Sequence, residues 1–198
     1  NSAYSRVKLA TERAVLQAKP SSMTTIALRP PFIWGTGVPA LSEIAELARR
    51  GRFVWLDHGR HIFDFVHVDN LVEAVSRSLS VHAPSGAYYV TDGNPMPVRE
   101  FFTPLLARAG ADVSEARSVP VAIAAPAASI IDYGARLMRL KTAPPLTNWL
   151  VSIMGRDRAY DISKARQYLG YAPQVSFAEG LAQMTAGDPV TRNGSGLR

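Results

Sequence analysis

Cysteine is absent from all 198 residues, which excludes disulfides and thiolate metal sites. A cysteine-free chain fits a reducing compartment, and the location expected is cytoplasmic. Clustered charge is almost as scarce. Lysine and arginine exceed aspartate and glutamate by six, yet only Arg49, Arg50 and Arg52 form a tight group. They follow a predicted helix, where cations complement the C-terminal dipole. Without a basic stripe or interleaved aromatics, nucleic-acid binding is not expected. No internal repeat and no signal peptide are visible. There is also no initiator methionine: Asn1-Ser2-Ala3-Tyr4 reads as the middle of a domain, so a fragment or processed piece is expected. The apolar stretch 119–140 is interrupted by Pro126, Asp132, Arg136 and Arg139. It is too polar for a membrane span, and a buried or interfacial helix is the expected form, with membrane association left open.

What is present alternates. Residues 4–19 have the composition of a helix, with Val7, Ala10, Ala14 and Ala18 as an apolar stripe, stopped by Lys19-Pro20-Ser21-Ser22. A buried strand is predicted over 24–28, then a rigid loop over 29–37, where Pro30 and Pro31 fix φ and Gly35 and Gly37 permit turns. A helix over 39–50 ends at Gly51, strand candidates cover 53–56 and 61–66, and Asp57-His58-Gly59 forms a turn between them. Asp69 is the expected N-cap of a helix whose apolar positions are Leu71, Val72, Val75 and Leu79. A strand over 87–91, a turn at 92–95 and a helix over 98–109 follow. After a break at Ala143-Pro144-Pro145-Leu146, Ser163 is expected to cap a helix reaching Leu169. A last helix starts at Phe177, and the glycine-rich tail 188–198 is expected to be disordered.

The chemistry starts at the front. Tyr4 and Lys8 are four residues apart, so on a helix they share one face. A cation beside a phenol favours the phenolate and lowers a pKa of about 10. That suits a tyrosine to exchange a proton with a hydroxyl or carbonyl. The same spacing also describes two solvated side chains, so the order of the motifs further along the chain decides. His67 and Asp69 lie two apart at a strand end, but without a third ligand nearby their expected role is structural. Asp161 and Lys164 are expected to fix a turn and a helix start.

That order is Tyr4-x-x-x-Lys8, a buried strand, Arg29-Pro30-Pro31, Asp64-Phe65-Val66-His67-Val68-Asp69-Asn70, then Tyr160-Asp161-Ile162-Ser163-Lys164-Ala165 and Leu169-Gly170-Tyr171-Ala172-Pro173. It resembles the C-terminal two-thirds of the extended short-chain dehydrogenase/reductases, above all the 3β-hydroxysteroid dehydrogenase/isomerase branch and its epimerase/dehydratase-like relatives. The fold implied is α/β: the C-terminal part of a Rossmann-type doubly wound parallel sheet over residues 1–95, with a substrate-lobe insertion at about 36–62. A small, mostly helical substrate-binding lobe would cover 96–187. The resemblance implies that Tyr4 is the general acid/base and that Lys8 hydrogen-bonds the nicotinamide ribose of NAD or NADP. Pro31, Phe32 and Ile33 would lie along the carboxamide. Sugar-nucleotide members carry an arginine immediately before the aspartate matching Asp64, where it grips a diphosphate. Here that residue is Phe63, which points to a small hydrophobic substrate, with Phe63 and Trp34 as its expected contacts.

The implied activity is hydride transfer between nicotinamide and a hydroxyl or ketone of a sterol-like substrate. The alternatives are a nucleotide-sugar epimerase/dehydratase and a non-catalytic protein that binds a nucleotide or apolar ligand on this scaffold. The family's glycine-rich dinucleotide turn and its carbonyl-polarising serine or threonine are not in this sequence, so the chain alone is expected to be inactive. Family members often dimerise through the tyrosine-bearing helix, which makes a homodimer the implied assembly.

Overall fold

A computed structural model describes residues 3–18, 23–137, 151–152 and 154–184. The breaks expected at 19–22 and 143–146 and the tail from 188 lie outside these residues. Helix α1 (Ala3–Gln17) leads into β1 (Ile26–Arg29). Pro30 and Pro31 have no N–H to give to a ladder, so the strand breaks there and resumes as β2 (Phe32–Trp34). The predicted loop 29–37 therefore contains a strand, because donors return at Phe32. Helix α2 (Pro39–Arg49) follows, then β3 (Trp55–Leu56), a single 3₁₀ turn over 57–59, β4 (Ile62–Phe63) and β5 (Phe65–His67). Next come α3 (Val68–Ser80), β6 (Gly86–Tyr89), β7 (Met96–Pro97), α4 (Val98–Arg108), β8 (Ser118–Val119) and α5 (Val121–Leu137). Two short helices close the described chain, α6 (Ser163–Leu169) and α7 (Phe177–Gln183).

The fold is α/β. β1 pairs in parallel with β6, and β2 in parallel with β5. Beyond β6 the chain keeps bonding, with Val90 N donating to Arg29 O and Asp92 N to Phe65 O, so the two pairs share one surface. β3 and β8 form a third parallel pair, while β4 and β7 run antiparallel. Successive strand residues point to opposite faces, and this sorts the core into two clusters. Phe32, Trp34 and Phe65 join Phe63, Phe101, Phe102 and Trp55 in an aromatic cluster, whereas Val66 joins Ala74, Tyr88, Val90, Leu169 and Tyr171. In the first cluster Phe65 and Phe101 lie 4.2 Å apart between ring centroids, and Phe32 meets Phe102 edge-on at 5.4 Å. Such pairs add ~0.5–1.5 kcal/mol each beyond the area they bury.

Three local expectations change. On α1 the stripe Val7, Ala10, Ala14 and Ala18 faces outward, with Val7 64% exposed. On α3 the N-cap is His67, whose Nδ1 accepts from Asp69 N at 3.3 Å. Asp69 falls in the first turn instead, where its charge still suits the dipole. The helix begins immediately after β5, and this rotates Asn70 and Ala74 inward while leaving Val72, Val75 and Leu79 exposed. At α6 it is Asp161, not Ser163, that satisfies the first turn, its Oδ1 accepting from Ser163 N at 2.8 Å. Lys164 reaches from α6 to Ala87 O at 3.0 Å and lies over the Tyr88 ring, so it fastens the helix to β6. Among the described residues no helix is long and apolar enough to cross a membrane. On α5, Ala124 and Ala128 are buried and Ile123, Ile130 and Ile131 are exposed.

Candidate active site

The backbone of α1 carries both Tyr4 and Lys8; the Tyr4 side chain lies outside the described residues. Of the described side chains on α1, only Glu12 and Leu16 are partly buried. They follow Tyr4 and Lys8 at the same four-residue spacing, on the helical line that meets β1. Glu12 is gripped by Arg29, the last residue of β1: Nε donates to Oε2 at 2.8 Å and Nη2 to Oε1 at 2.6 Å. This two-point geometry fixes direction as well as distance. Arg29 Nη1 also donates to the Tyr89 hydroxyl at 3.4 Å, and its guanidinium lies 5.3 Å from the Tyr89 ring centre. Tyr89 in turn stacks on Tyr160 at 4.5 Å. A chain of contacts thus runs from the tyrosine-bearing helix through β1 and β6 to the segment before α6.

The guanidinium of Arg29 holds the Glu12 carboxyl below its ordinary range. A carboxyl lowered in the folded state contributes fully above its unfolded pKa, and that contribution is lost as pH falls through the lowered value. Acid should therefore loosen α1 before the sheet. Amide hydrogen exchange across residues 5–17 is expected to speed up below the ordinary glutamate range while β1 and β6 stay protected. Simultaneous loss of protection in both would show that Glu12 is not what holds the helix.

Pro31, Phe32 and Ile33 stand directly after this pair, at the junction of β1 and β2. Phe32 points into the aromatic cluster and Ile33 packs partly buried against the second cluster. Trp34 and Phe63, the expected substrate contacts, are 0% and 2% exposed. Both are packed into the aromatic cluster of the core. Trp34 Nε1 donates to Asp92 Oδ2 at 2.8 Å.

Asp92 centres a buried polar network that carries no signal in the sequence. Its carboxylate also accepts from His67 N at 2.9 and 3.1 Å and from Asn70 Nδ2 at 2.7 Å. Burial pushes its carboxyl up despite these donors. Asp64 is similar: burial raises it, and Oδ2 accepts from Tyr160 N at 3.1 Å. Burial lowers His67, which keeps its Nδ1 available as the acceptor that caps α3. His61 lies between two carboxylates, 3.0 Å from Asp57 and 3.1 Å from Asp157, the second of them 96 residues away along the chain. The one clue to Glu12 in the sequence is its place four residues after Lys8.

A helix carrying Tyr-x-x-x-Lys, packed against a parallel sheet beside the double-proline strand break, defines a Rossmann-type α/β protein. The fold is shared with UDP-glucuronic acid 4-epimerase from Bacillus cereus, solved in complex with NAD: TM-score 0.60 and 17% identity, covering 93% of this chain and 51% of that one. The chain belongs to the 3-beta hydroxysteroid dehydrogenase/isomerase family, whose pattern matches residues 1–121. It is 34% identical over 189 residues to 2-alkyl-3-oxoalkanoate reductase of Stenotrophomonas maltophilia, covering 92% of this chain and 57% of that protein. It is 29% identical to 3beta-hydroxysteroid-dehydrogenase/decarboxylase isoform 2 of Arabidopsis thaliana, covering 98% of this chain and 38% of that protein. The chain thus spans less than two thirds of the length of these relatives.

Proposed function

We propose that the complete protein is an NAD(P)-dependent oxidoreductase that interconverts a hydroxyl and a ketone on a sterol-like or other hydrophobic substrate. The observation that carries this reading is the Tyr4–Lys8 helix tied by Glu12 and Arg29 to the strand that enters Pro30-Pro31. The residues present fit a nicotinamide cofactor. Lys8 is exposed on α1 and its ammonium is a donor of the kind that suits ribose hydroxyls, and the parallel strands end beside Pro31, at the edge where such sheets take ligands. Bound there, the nicotinamide supplies or accepts the hydride. Tyr4 moves the accompanying proton: its phenol protonates the carbonyl oxygen in reduction, and its phenolate takes the hydroxyl proton in oxidation. Lys8, one turn on, favours the phenolate. Pro30 and Pro31 give a stiff backbone with no N–H, so this edge offers carbonyls until Phe32.

Phe63 favours an apolar substrate, because no guanidinium stands there to meet a diphosphate. The names of the relatives, a 2-alkyl-3-oxoalkanoate reductase and a 3beta-hydroxysteroid dehydrogenase/decarboxylase, agree with that substrate class. The test is nicotinamide oxidation and reduction by the complete protein with hydroxysteroids, alkylated oxoalkanoates and a UDP-sugar, each with both cofactors. Turnover is expected with the apolar substrates. The 198-residue chain by itself, without a glycine-rich dinucleotide turn, is expected to give none. Turnover of the UDP-sugar alone would move the protein to the epimerase/dehydratase reading.

A further inference from the structure

Helix α1 bears the proposed acid/base, yet most of its described side chains are exposed. Its apolar residues Val7, Leu9 and Val15 are exposed, and Glu12 and Leu16 are the described side chains turned toward the sheet. Apolar contact is non-directional, so by itself it leaves a helix able to slide along its axis. The Arg29 fork removes that freedom. Nε and Nη2 each donate to one Glu12 oxygen, at 2.8 and 2.6 Å, and Tyr89 braces the guanidinium from the neighbouring strand through Nη1.

We propose that Glu12 and Arg29 are a positioning pair that sets the axial register of the catalytic helix against the strand entering the double proline. This rests on the oxidoreductase reading above. The distances decide what the pair aligns. Tyr4 is eight residues before Glu12, and at ~1.5 Å per residue it lies ~12 Å up the helix axis. In an α/β layer the helix runs antiparallel to the strand it leads into, so the matching strand position is found by going forward from Arg29. At ~3.3 Å per residue, ~12 Å is about four residues, which is Ile33. The pair therefore holds Tyr4 level with Phe32 and Ile33, the backbone expected along the nicotinamide carboxamide. Neither Glu12 nor Arg29 needs to touch substrate or cofactor. Each acts through the height at which it fixes Tyr4 and Lys8.

The test uses the complete protein with Glu12→Gln, Arg29→Met and the exchanged pair Glu12→Arg/Arg29→Glu. Two readouts are taken where circular dichroism shows every variant folded. The first is the nitroxide–nitroxide distance, without cofactor, between labels on Val7→Cys in α1 and Leu79→Cys in α3, both exposed positions. Each single variant should shift or broaden this distance, and the exchanged pair should narrow it again. The second is steady-state kinetics. A misplacement of about 1 Å can cost ~10²-fold in rate, so kcat should fall ~10- to 100-fold in each single variant, with KM within ~3-fold. The exchanged pair should recover most of the loss. A distance distribution unchanged in both single variants overturns the proposal, whatever the activity. So does a shifted distance with kcat within ~2-fold of the parent. Tyr4→Phe serves as the separate control: activity retained there overturns the oxidoreductase reading, while the distances still decide the register.

Discussion

Replacing Tyr4 with phenylalanine in the complete protein is expected to lower turnover by ~10²- to 10⁴-fold, the range contributed by a positioned general acid/base. The fold should hardly notice. Phenylalanine and tyrosine have nearly equal helix propensity, so loss of one phenolic oxygen leaves α1 as favourable as before. KM for the substrate should change little, because the proton transfer is made in the transition state and not in ground-state binding. Lys8→Met gives the complementary result. Without the ammonium one turn away the phenolate loses its stabilising charge, so the limb of the rate profile governed by Tyr4 should move to higher pH. The measurements are kcat, KM and the pH profile of kcat/KM beside a thermal melt. Activity retained in Tyr4→Phe with a large fall in melting temperature would make Tyr4 a structural residue and would end the proposed mechanism.

The elements of the fold are more legible in the sequence than their faces. Helix α1 is plain from composition, but its inward line is set by Glu12 meeting Arg29, seventeen residues away, which no periodicity reports. The apolar stripe therefore points to the wrong side of the helix. On α3 the pattern places Leu71 against the second cluster but leaves Val72, Val75 and Leu79 exposed, because Asn70 is drawn inward by hydrogen bonds to partners 22 and 105 residues distant. Strand β2 reads as loop because two prolines precede it, although proline only withholds its own N–H. The site divides in a similar way. Motif order singles out Tyr4, Lys8 and the Pro31–Ile33 segment as candidates, since these are local patterns. The Glu12–Arg29 pair and the Asp92 network need the tertiary structure, because each joins residues that carry no signal until the chain is folded.

Asn70 is where a single substitution is expected to damage the fold most. It is fully buried, and its amide is saturated. Nδ2 donates to Asp92 Oδ1 and Val175 O, at 2.7 and 2.8 Å, while Oδ1 accepts from Gln174 N and Val175 N, at 2.8 and 2.9 Å. An amide has two donor hydrogens and two acceptor lone pairs, and all four are used. They clip the segment before α7 onto the start of α3, and α7 then rests so closely that a Cβ on Gly180 would lie 2.6 Å from Trp34 and 2.9 Å from His67. Asn70→Ala removes four bonds and strands two backbone N–H groups and a carbonyl. A buried group left unsatisfied costs ~1–3 kcal/mol, and water reaches part of these because Gln174 is exposed and Val175 half-buried, so ~2–4 kcal/mol in total is expected. That is a large part of a typical stability of ~5–15 kcal/mol. Asn70→Asp should be worse at neutral pH, because it turns a donor into a second carboxylate facing Asp92. It should recover in part as acid protonates one of the two, since a carboxyl shared between like charges is held to its proton. Urea unfolding of the complete protein measures the first effect, and its pH dependence measures the second. A loss below ~1 kcal/mol for Asn70→Ala would mean that water or a shifted backbone replaces the amide.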